Sequence, residues 1–359
     1  MDDRTIARWR LSTQRLAEQS HPSPGAAVDS LLGVQAENYT QTVWALAERS
    51  PGLTDEAFGQ LIDRGEILRT HILRSTWHFV RPDDIVWLTQ LTAPRVRRSL
   101  SQLQRSLQLD DATLEATDGA IVEILAAREH LTRDEMGERL RERGFPADGQ
   151  KLGAMAFHAE ISGLICSGVR KVGTQTYALI DERAPDARRL DRDEALAEVA
   201  LRYFTGHGPA TERDLSYWAT LTISDVRAGL AAVADRLDSF EHDGRIYWYG
   251  ESSPGDGGSP GPRGHLLLIL DEYYRGYQDS RHVLDTDRLE PPGTRAVGMA
   301  LVDGQLVGDM RRTLRSGSVV VDVGLYRDLQ SDERTALGEA AERYGSFLGL
   351  TPELVIRRP

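Results

Sequence analysis

Lysine and cysteine are almost missing from this sequence, and each scarcity excludes a class of protein. Of the 43 lysines and arginines only Lys151 and Lys171 are lysines, and Cys166 is the one cysteine. A lone cysteine cannot form a disulfide bond within the chain, a usage typical of reducing compartments. The N-terminal residues contain no apolar core of a signal peptide, and no apolar run approaches a membrane span; the most conspicuous is Leu266–Leu270. The sequence therefore predicts a cytoplasmic protein without a membrane anchor.

Charge is unevenly distributed along the chain. The formal net charge is −12, which argues against a protein that coats nucleic acid non-specifically. Between Asp63 and Arg105, however, eight arginines stand against four acidic residues. A local basic face on an acidic body is able to bind phosphates, and arginine supplies forked donors suited to them.

Several common catalytic motifs are absent. The chain has no glycine-rich P-loop, which argues against a nucleotidase of that class. His158 and Glu160 have the spacing of a zinc deaminase, but one cysteine cannot complete that metal site. No other cluster of histidines and acids has metal-ligand spacing. The sequence thus predicts no metal and no cofactor.

One succession of local signals occurs three times. In the first stretch Thr54 is placed to cap a helix ahead of strand-like sequence, and in the second Thr132 and Glu135 form a capping box. In the third, Asp243-Gly244 marks a tight hairpin after two helices. Helix, turn, helix and β-hairpin is the winged-helix order, although a generic α+β protein can contain it too. We therefore predict an α+β fold of tandem winged-helix units.

The remaining third of the chain is richer in strands, which are predicted at Gly264–Leu270, Ala296–Val302, Gln305–Gly308 and Ser318–Gly324. A segment dense in glycine, serine and proline precedes it, and a helix with apolar residues at helical spacing, Ser331–Leu348, lies near its end. The predicted division is three winged-helix units at residues 1–110, 111–190 and 191–250, a linker at 251–263 and a β-rich C-terminal domain at 264–359.

The first unit contains the densest polar sequence. Gln35 and Glu37 lie two residues apart, and on an extended segment or turn such residues share one side. A carboxylate can orient water or stabilise a cation, and an amide can hold that water or a sugar oxygen. By spacing alone, solvent-exposed side chains near a helix end are the favoured interpretation.

Five sequence blocks along the chain support a catalytic role for this motif. They are Leu32–Glu37, Leu68–Val80, Gly208–Trp218, Leu270–Tyr277 and Asp303–Gly308. In their order and spacing these blocks resemble, from end to end of the chain, those of the AlkZ/YcaQ winged-helix DNA glycosylase family.

The resemblance implies a C-shaped molecule in which DNA runs along the concave face. It also implies excision of N7-alkylated purines, including bulky genotoxin adducts and crosslinks, without a metal or cofactor, and in some members self-resistance of antibiotic producers. Gln35 and Glu37 are the implied catalytic residues. The chain departs from the family pattern at Glu37, where relatives carry Gln or Asp, and at Ser75, where Gly is usual.

Side chains beside the motif are predicted to contact DNA. The stronger set follows a strand in the first unit, and the weaker set lies in later units. The predicted DNA-binding residues are Arg69, Thr70, Arg74, Thr76 and His78, with Arg213, Arg311 and Arg312 as the weaker set. Ordinary surface arginines and a cross-strand histidine are the alternative. Tyr273, Tyr274 and Tyr277 are predicted to be core or hinge residues.

The predicted function is that of a monofunctional DNA glycosylase in base excision repair, acting as a monomer on double-stranded DNA with alkylated bases. A lyase needs an amine, and both lysines are far from Gln35 in sequence. Two other functions remain open at this point. One is a non-enzymatic winged-helix regulator; the other is a protein that sequesters a DNA-reactive antibiotic in a pocket containing Trp218 and the tyrosines.

Overall fold

The computed structural model describes residues 1–17, 20–251, 262–285 and 296–358. Within these ranges the chain forms a mixed α/β fold of helices and four sheets. A first helix, α1 (Asp3–Thr13), precedes a pattern that occurs three times: a helix, a short strand or single bridge, two helices and an antiparallel hairpin. None of the helices in these ranges combines the length and apolarity needed to cross a bilayer.

The first unit contains the Gln35–Glu37 motif. Its three strands have the order β1-β3-β2, so the short first strand pairs with the last one. Thr54 caps the second of the paired helices as predicted, because its Oγ1 accepts the Ala57 N–H at 3.2 Å. The elements are α2 (Pro24–Ser30), β1 (Val34–Gln35), α3 (Tyr39–Arg49), α4 (Asp55–Asp63), β2 (Leu68–Ile72) and β3 (Thr76–Val80).

A long helix, α5 (Pro82–Ser106), leads into the second unit, whose sheet order β4-β6-β5 repeats that of the first. The predicted capping box of Thr132 and Glu135 is confirmed, with both reciprocal hydrogen bonds present. The elements are α6 (Asp111–Leu125), β4 (Leu131–Thr132), α7 (Arg133–Glu142), α8 (Gly149–Ile161), β5 (Ile165–Ser167), β6 (Thr176–Leu179) and α9 (Ile180–Arg183).

In the third unit a single bridge between Ala210 and Trp248 stands where the first strand stands in the others. The hairpin predicted at Asp243-Gly244 is confirmed, and both residues have positive φ angles, of 49° and 68°. The elements are α10 (Arg192–His207), α11 (Glu212–Trp218), α12 (Ile223–Val233), β7 (Asp238–His242) and β8 (Arg245–Tyr249).

The C-terminal part is a five-stranded sheet of order β13-β12-β11-β10-β9, in which only the β12–β13 pair is parallel. The last helix has the predicted bounds, whereas the strand predicted at Gln305–Gly308 runs on to Arg315. The predicted linker, 251–263, falls mostly outside the described residues. The elements are β9 (Gly264–Leu268), α13 (Glu272–Arg275), β10 (Gly298–Val302), β11 (Gln305–Arg315), β12 (Ser318–Leu325), α14 (Ser331–Leu348) and β13 (Thr351–Arg357).

The first unit packs against both the C-terminal sheet and the third unit. One core joins it to the sheet, where Trp44 Nε1 donates to the Leu266 carbonyl at 2.8 Å. A second core joins β2 and α5 to the third unit. Arg49 and Asp271 form a fully buried two-pronged ion pair, at 2.8 and 3.0 Å, across the first of these contacts. The motif therefore lies where three parts of the chain meet.

Candidate active site

Strand pairing fixes the backbone of the motif. Gln35 lies opposite His78 in the antiparallel pairing of β1 with β3. The Ala36 N–H continues this pairing and donates to the Trp77 carbonyl at 2.6 Å. The segment is extended at Val34–Gln35. That the side chains of Gln35 and Glu37 face one pocket stays a prediction.

Gln35 is held through both its backbone and its side chain. Its N–H donates to Glu272 Oε1 at 3.0 Å, and its carbonyl accepts Thr42 Oγ1 at 2.8 Å. Arg74 Nη2 donates to the side-chain Oε1 at 3.3 Å. Because Arg74 has only donors, it determines which end of the amide faces it. The amide NH₂ is the end left for a ligand.

Glu272, from α13, is a fully buried carboxylate to which the sequence analysis gave no role, although it lies in the Leu270–Tyr277 block. Its Oε2 accepts Trp218 Nε1 at 2.8 Å and lies 3.4 Å from His207 Nε2, while its Oε1 is 3.6 Å from Arg74 Nη2. Burial alone would raise the pKa of Glu272, but the hydrogen bond with His207 and the charge of Arg74 lower it to about 2. An ionised carboxylate therefore lies directly behind Gln35.

Arg74 lies in the turn between β2 and β3. Its Nη1 donates to the Arg275 carbonyl at 3.3 Å. The turn residues on either side, Leu73 and Ser75, have positive φ angles of 59° and 62°. This left-handed backbone gives a physical reason for the glycine that relatives carry where this chain has Ser75. Ser75 Oγ lies 3.2 Å from Ser99 Oγ of α5, which ties the turn to that helix.

Glu37 is exposed, in contrast to Gln35, which is only 8% exposed. Its Oε2 accepts the Trp77 N–H at 3.3 Å, which fixes one carboxylate oxygen at the end of the strand pair. The arrangement thus presents a carboxylate to solvent two residues beyond a buried, fixed amide. Such a pair can stabilise a cationic sugar and take a proton from water.

Arg69 supports the peptide between the two motif residues. Its guanidinium donates to the Ala36 carbonyl from Nε at 3.1 Å and from Nη2 at 2.7 Å, and Nη1 bonds Gln175 Oε1. The same group lies over the Trp77 ring, 4.3 Å from its centroid. Burial lowers the pKa of Arg69, which is 8% exposed. Its predicted contact with DNA stays a prediction, and the geometry provides a structural role besides.

The second unit contacts the motif through Glu160 of α8. Glu160 is fully buried; its Oε1 accepts Trp77 Nε1 at 3.1 Å and its Oε2 is 2.6 Å from His71 Nδ1. Trp77 therefore connects the two acids, because its ring N–H bonds Glu160 and its backbone N–H bonds Glu37. Sequence inspection treated Glu160 only as part of an incomplete zinc motif.

Thr70 and His78 lie opposite each other on β2 and β3 and have no exposed surface. His78 Nδ1–H donates a hydrogen bond to the Thr76 carbonyl at 2.8 Å, so the neutral ring leaves Nε2 as an acceptor. His78 Nε2, Thr70 Oγ1 and Thr76 Oγ1 have no partner among the described residues. Burial lowers the pKa of His78 to about 3. The predicted DNA contacts of Thr70 and His78 would require the sheet to open.

The weaker set of predicted DNA contacts lies on other elements. Arg213 is exposed in the first turn of α11. Arg311 and Arg312 are half-buried in the middle of β11, and Arg312 Nη1 bonds the Tyr344 hydroxyl. The structure does not bring these arginines into the hydrogen-bond network around Gln35 among the residues it describes. Their contacts with DNA stay predictions.

Lys171, Cys166 and possible metal ligands are the other groups whose chemistry bears on the mechanism. Lys171 Nζ forms an ion pair with Glu135 at 2.8 Å in the second unit. Cys166 is fully buried, and burial raises the pKa of its thiol. Across residues 1–17, 20–251, 262–285 and 296–358, no three histidines, cysteines or acids group as metal ligands would.

Comparison with known proteins agrees with the motif blocks. A family model described as DNA glycosylase AlkZ-like matches residues 28–347. An interstrand DNA cross-link repair glycosylase of Streptomyces sahachiroi is 24% identical over 336 residues, which cover 85% of this chain and 86% of that protein. The solved structure of the DNA glycosylase AlkZ from the same organism has the same fold, with a TM-score of 0.80, 20% identity and 100% of both chains covered. The chain therefore belongs to the AlkZ-like DNA glycosylase family.

Proposed function

We propose that this protein is a monofunctional DNA glycosylase that excises N7-alkylated purines, including bulky genotoxin adducts and interstrand crosslinks. Its role would be base excision repair or self-resistance to a DNA-reactive antibiotic. The observation that carries the proposal is the fixed Gln35 amide, backed by Arg74 and Glu272, beside the exposed carboxylate of Glu37. The similarity to an interstrand DNA cross-link repair glycosylase supports it.

The chemistry follows from the substrate and these two side chains. Alkylation at N7 places a positive charge on the purine, so the base leaves readily and the sugar becomes cationic. The Glu37 carboxylate stabilises that cation and accepts the proton of the attacking water. The Gln35 NH₂ donates to an oxygen of the sugar, the phosphate or the water, because its carbonyl end is occupied by Arg74.

We further propose that the three repeated units are winged-helix units arranged, with the C-terminal sheet, in a C shape around duplex DNA. The shared strand order of the first two units and the bridge in the third support this assignment. We expect the protein to act as a monomer, since nothing in the proposed chemistry needs a second copy.

Hydrolysis without strand cleavage is the proposed outcome. A lyase reaction needs an unprotonated amine at the sugar, and Lys171 is committed to an ion pair with Glu135. We do not propose a sequestering function, because Trp218 and Tyr277 are fully buried in the core and do not reach the small cavity that Tyr273 and Tyr274 border.

A direct assay tests the proposal. Duplexes with one defined N7-alkylguanine, or one N7-linked interstrand crosslink, are incubated with the protein in EDTA, and one half of each sample is then heated in alkali. We expect strand breaks only after alkali. Intact strands in both halves would reject the glycosylase assignment; breaks before alkali, or an adduct trapped by borohydride, would reject the monofunctional mechanism.

A further inference from the structure

The helix α5 contains an acid-free segment in an acidic protein. From Ile85 to Leu109 the sequence has no Asp or Glu but has four arginines, although the whole chain has a net charge of −12. The helix is 25 residues long and carries Pro94 inside it, directly before the first of these arginines. The positive charge is therefore concentrated in its C-terminal half.

Helical spacing places three of these arginines on one face. Arg95, Arg98, Ser99, Gln102 and Arg105 are separated by three, four, seven and ten positions, and all five are exposed. We call these five residues the α5 arginine face. It extends about 15 Å along the helix at the α-helical rise per residue.

The arginines of this face have no acidic neighbours. Within the part of the chain that the structure describes, none of the three lies within 4.0 Å of a carboxylate, and Arg98 Nε makes only a long 3.4 Å contact with the Pro94 carbonyl of its own helix. Elsewhere the pattern is different, since Arg170 pairs with Asp63 and Arg202 with Asp84. Exposed, unpaired guanidinium groups are available to an anionic partner.

The face begins beside the candidate active site. Ser99 Oγ is 3.2 Å from Ser75 Oγ, and Ser75 directly follows Arg74, which bonds Gln35. A polymer bound along the face would therefore pass next to the turn that supports the motif. The arginine face consists of polar side chains only, which suits a phosphate backbone better than an apolar partner.

We infer that the α5 arginine face binds the phosphodiester backbone of the duplex on the side of the lesion next to the Arg74 turn. This inference rests on the proposed function, because it takes duplex DNA as the substrate. Guanidinium groups bind phosphate oxygens through paired N–H donors, and such contacts set the register of a protein on DNA without reading sequence. The face would thus position the duplex, while Gln35 and Glu37 act on one nucleotide.

The test compares two triple variants with the wild type. The first is Arg95→Gln, Arg98→Gln and Arg105→Gln. The control is Arg8→Gln, Arg139→Gln and Arg189→Gln, which removes the same charge from arginines that are 59%, 54% and 68% exposed but lie 3.4, 3.6 and 3.8 Å from a carboxylate. Duplex affinity is measured by fluorescence anisotropy at several salt concentrations, and thermal unfolding verifies that each variant folds.

Each phosphate contact contributes about 0.9 to the slope of log affinity against log salt, so the first variant should reduce that slope by about 2 to 3 and the control by much less. Equal salt slopes in the wild type and the first variant would overturn the inference, and so would an equal loss of slope in the control variant. In either case, excision by the wild type would leave the glycosylase proposal intact. A wild type that binds duplex through this face without excising any base would sustain the inference and reject the glycosylase. A wild type with no salt-dependent duplex affinity would reject both.

Discussion

The Oε1 atom of Glu272 accepts the backbone N–H of Gln35 at 3.0 Å, across 237 positions of sequence. Through this bond the C-terminal part of the chain determines the geometry of a motif in the first unit. The same carboxylate faces Arg74, which holds the other end of Gln35. Glu272 is only 1% exposed, so it acts on the substrate through Gln35 and not directly.

Replacing Glu272 by Gln should slow excision much more than it weakens DNA binding. The amide keeps the shape of the carboxylate but removes the charge opposite Arg74 and turns an NH₂ group toward either the donors or Gln35. A displacement of the motif of about 1 Å is enough to cost roughly 100-fold in rate. Single-turnover excision and duplex affinity, measured side by side, give the two numbers.

Glu48 provides a matched control for that variant. It is also a buried carboxylate, it pairs with Arg343 at 2.8 Å and His265 at 3.0 Å, and these contacts lower its pKa to about 2. Glu48→Gln should reduce the free energy of unfolding as Glu272→Gln does, yet leave the excision rate near that of the wild type. Equal rate losses in both variants would show that Glu272 contributes only stability.

Replacing Glu37 by Ala should reduce the single-turnover excision rate by about 10² to 10⁴, the usual contribution of a positioned proton acceptor. Because Glu37 is exposed, the free energy of unfolding should change little. Glu37→Gln is tested beside it, since relatives carry Gln at this position and partial activity is expected. An alanine variant as fast as the wild type would remove Glu37 from the mechanism.

Local signals in the sequence predicted much of the fold. The cap at Thr54, the capping box at Thr132 and the hairpin at Asp243-Gly244 depend on neighbouring residues only, and all three are confirmed. Strand β13 was not predicted, because its register depends on β12 and on the packing of α14. The extension of β11 to Arg315 likewise depends on its partner strand.

The supporting residues of the site could not be predicted for the same reason. Motif blocks pointed to Gln35 and Glu37, but Glu272, His207 and Trp218 join them only after folding. The available signal was that Trp218 and Glu272 lie in two other blocks of the family pattern, Gly208–Trp218 and Leu270–Tyr277. Tyr273 and Tyr277 are fully buried, which confirms their prediction as core residues.

Substitution of Arg69 tests whether this residue contacts a phosphate of the DNA or has only a structural role. If it binds a phosphate, Arg69→Ala should reduce the salt slope of duplex binding by about 0.9. The structure favours a different result, because the guanidinium is occupied by Ala36, Gln175 and the Trp77 ring. We expect an unchanged slope, a lower free energy of unfolding and slower excision, with partial recovery in Arg69→Lys. A reduced slope with normal stability would favour the phosphate contact instead.

The last prediction concerns stability against pH and follows from His78. Burial lowers the pKa of His78 from its ordinary value of 6.5 to about 3. Between these values the unfolded chain binds a proton that the folded chain does not, so the contribution to stability is complete above pH 6.5 and is lost as the pH falls toward 3.

Each such group gives the free energy of unfolding a slope of about 1.4 kcal/mol per pH unit. In urea titrations from pH 6 to 4.5, where the Glu272 carboxyl of the folded protein stays ionised, His78→Gln should reduce the slope by about that amount. His21→Gln should give a similar reduction that ends near pH 4, since burial lowers the pKa of His21 to about 4. Parallel curves for wild type and His78→Gln would mean that His78 takes up its proton in the folded protein as readily as in the unfolded chain.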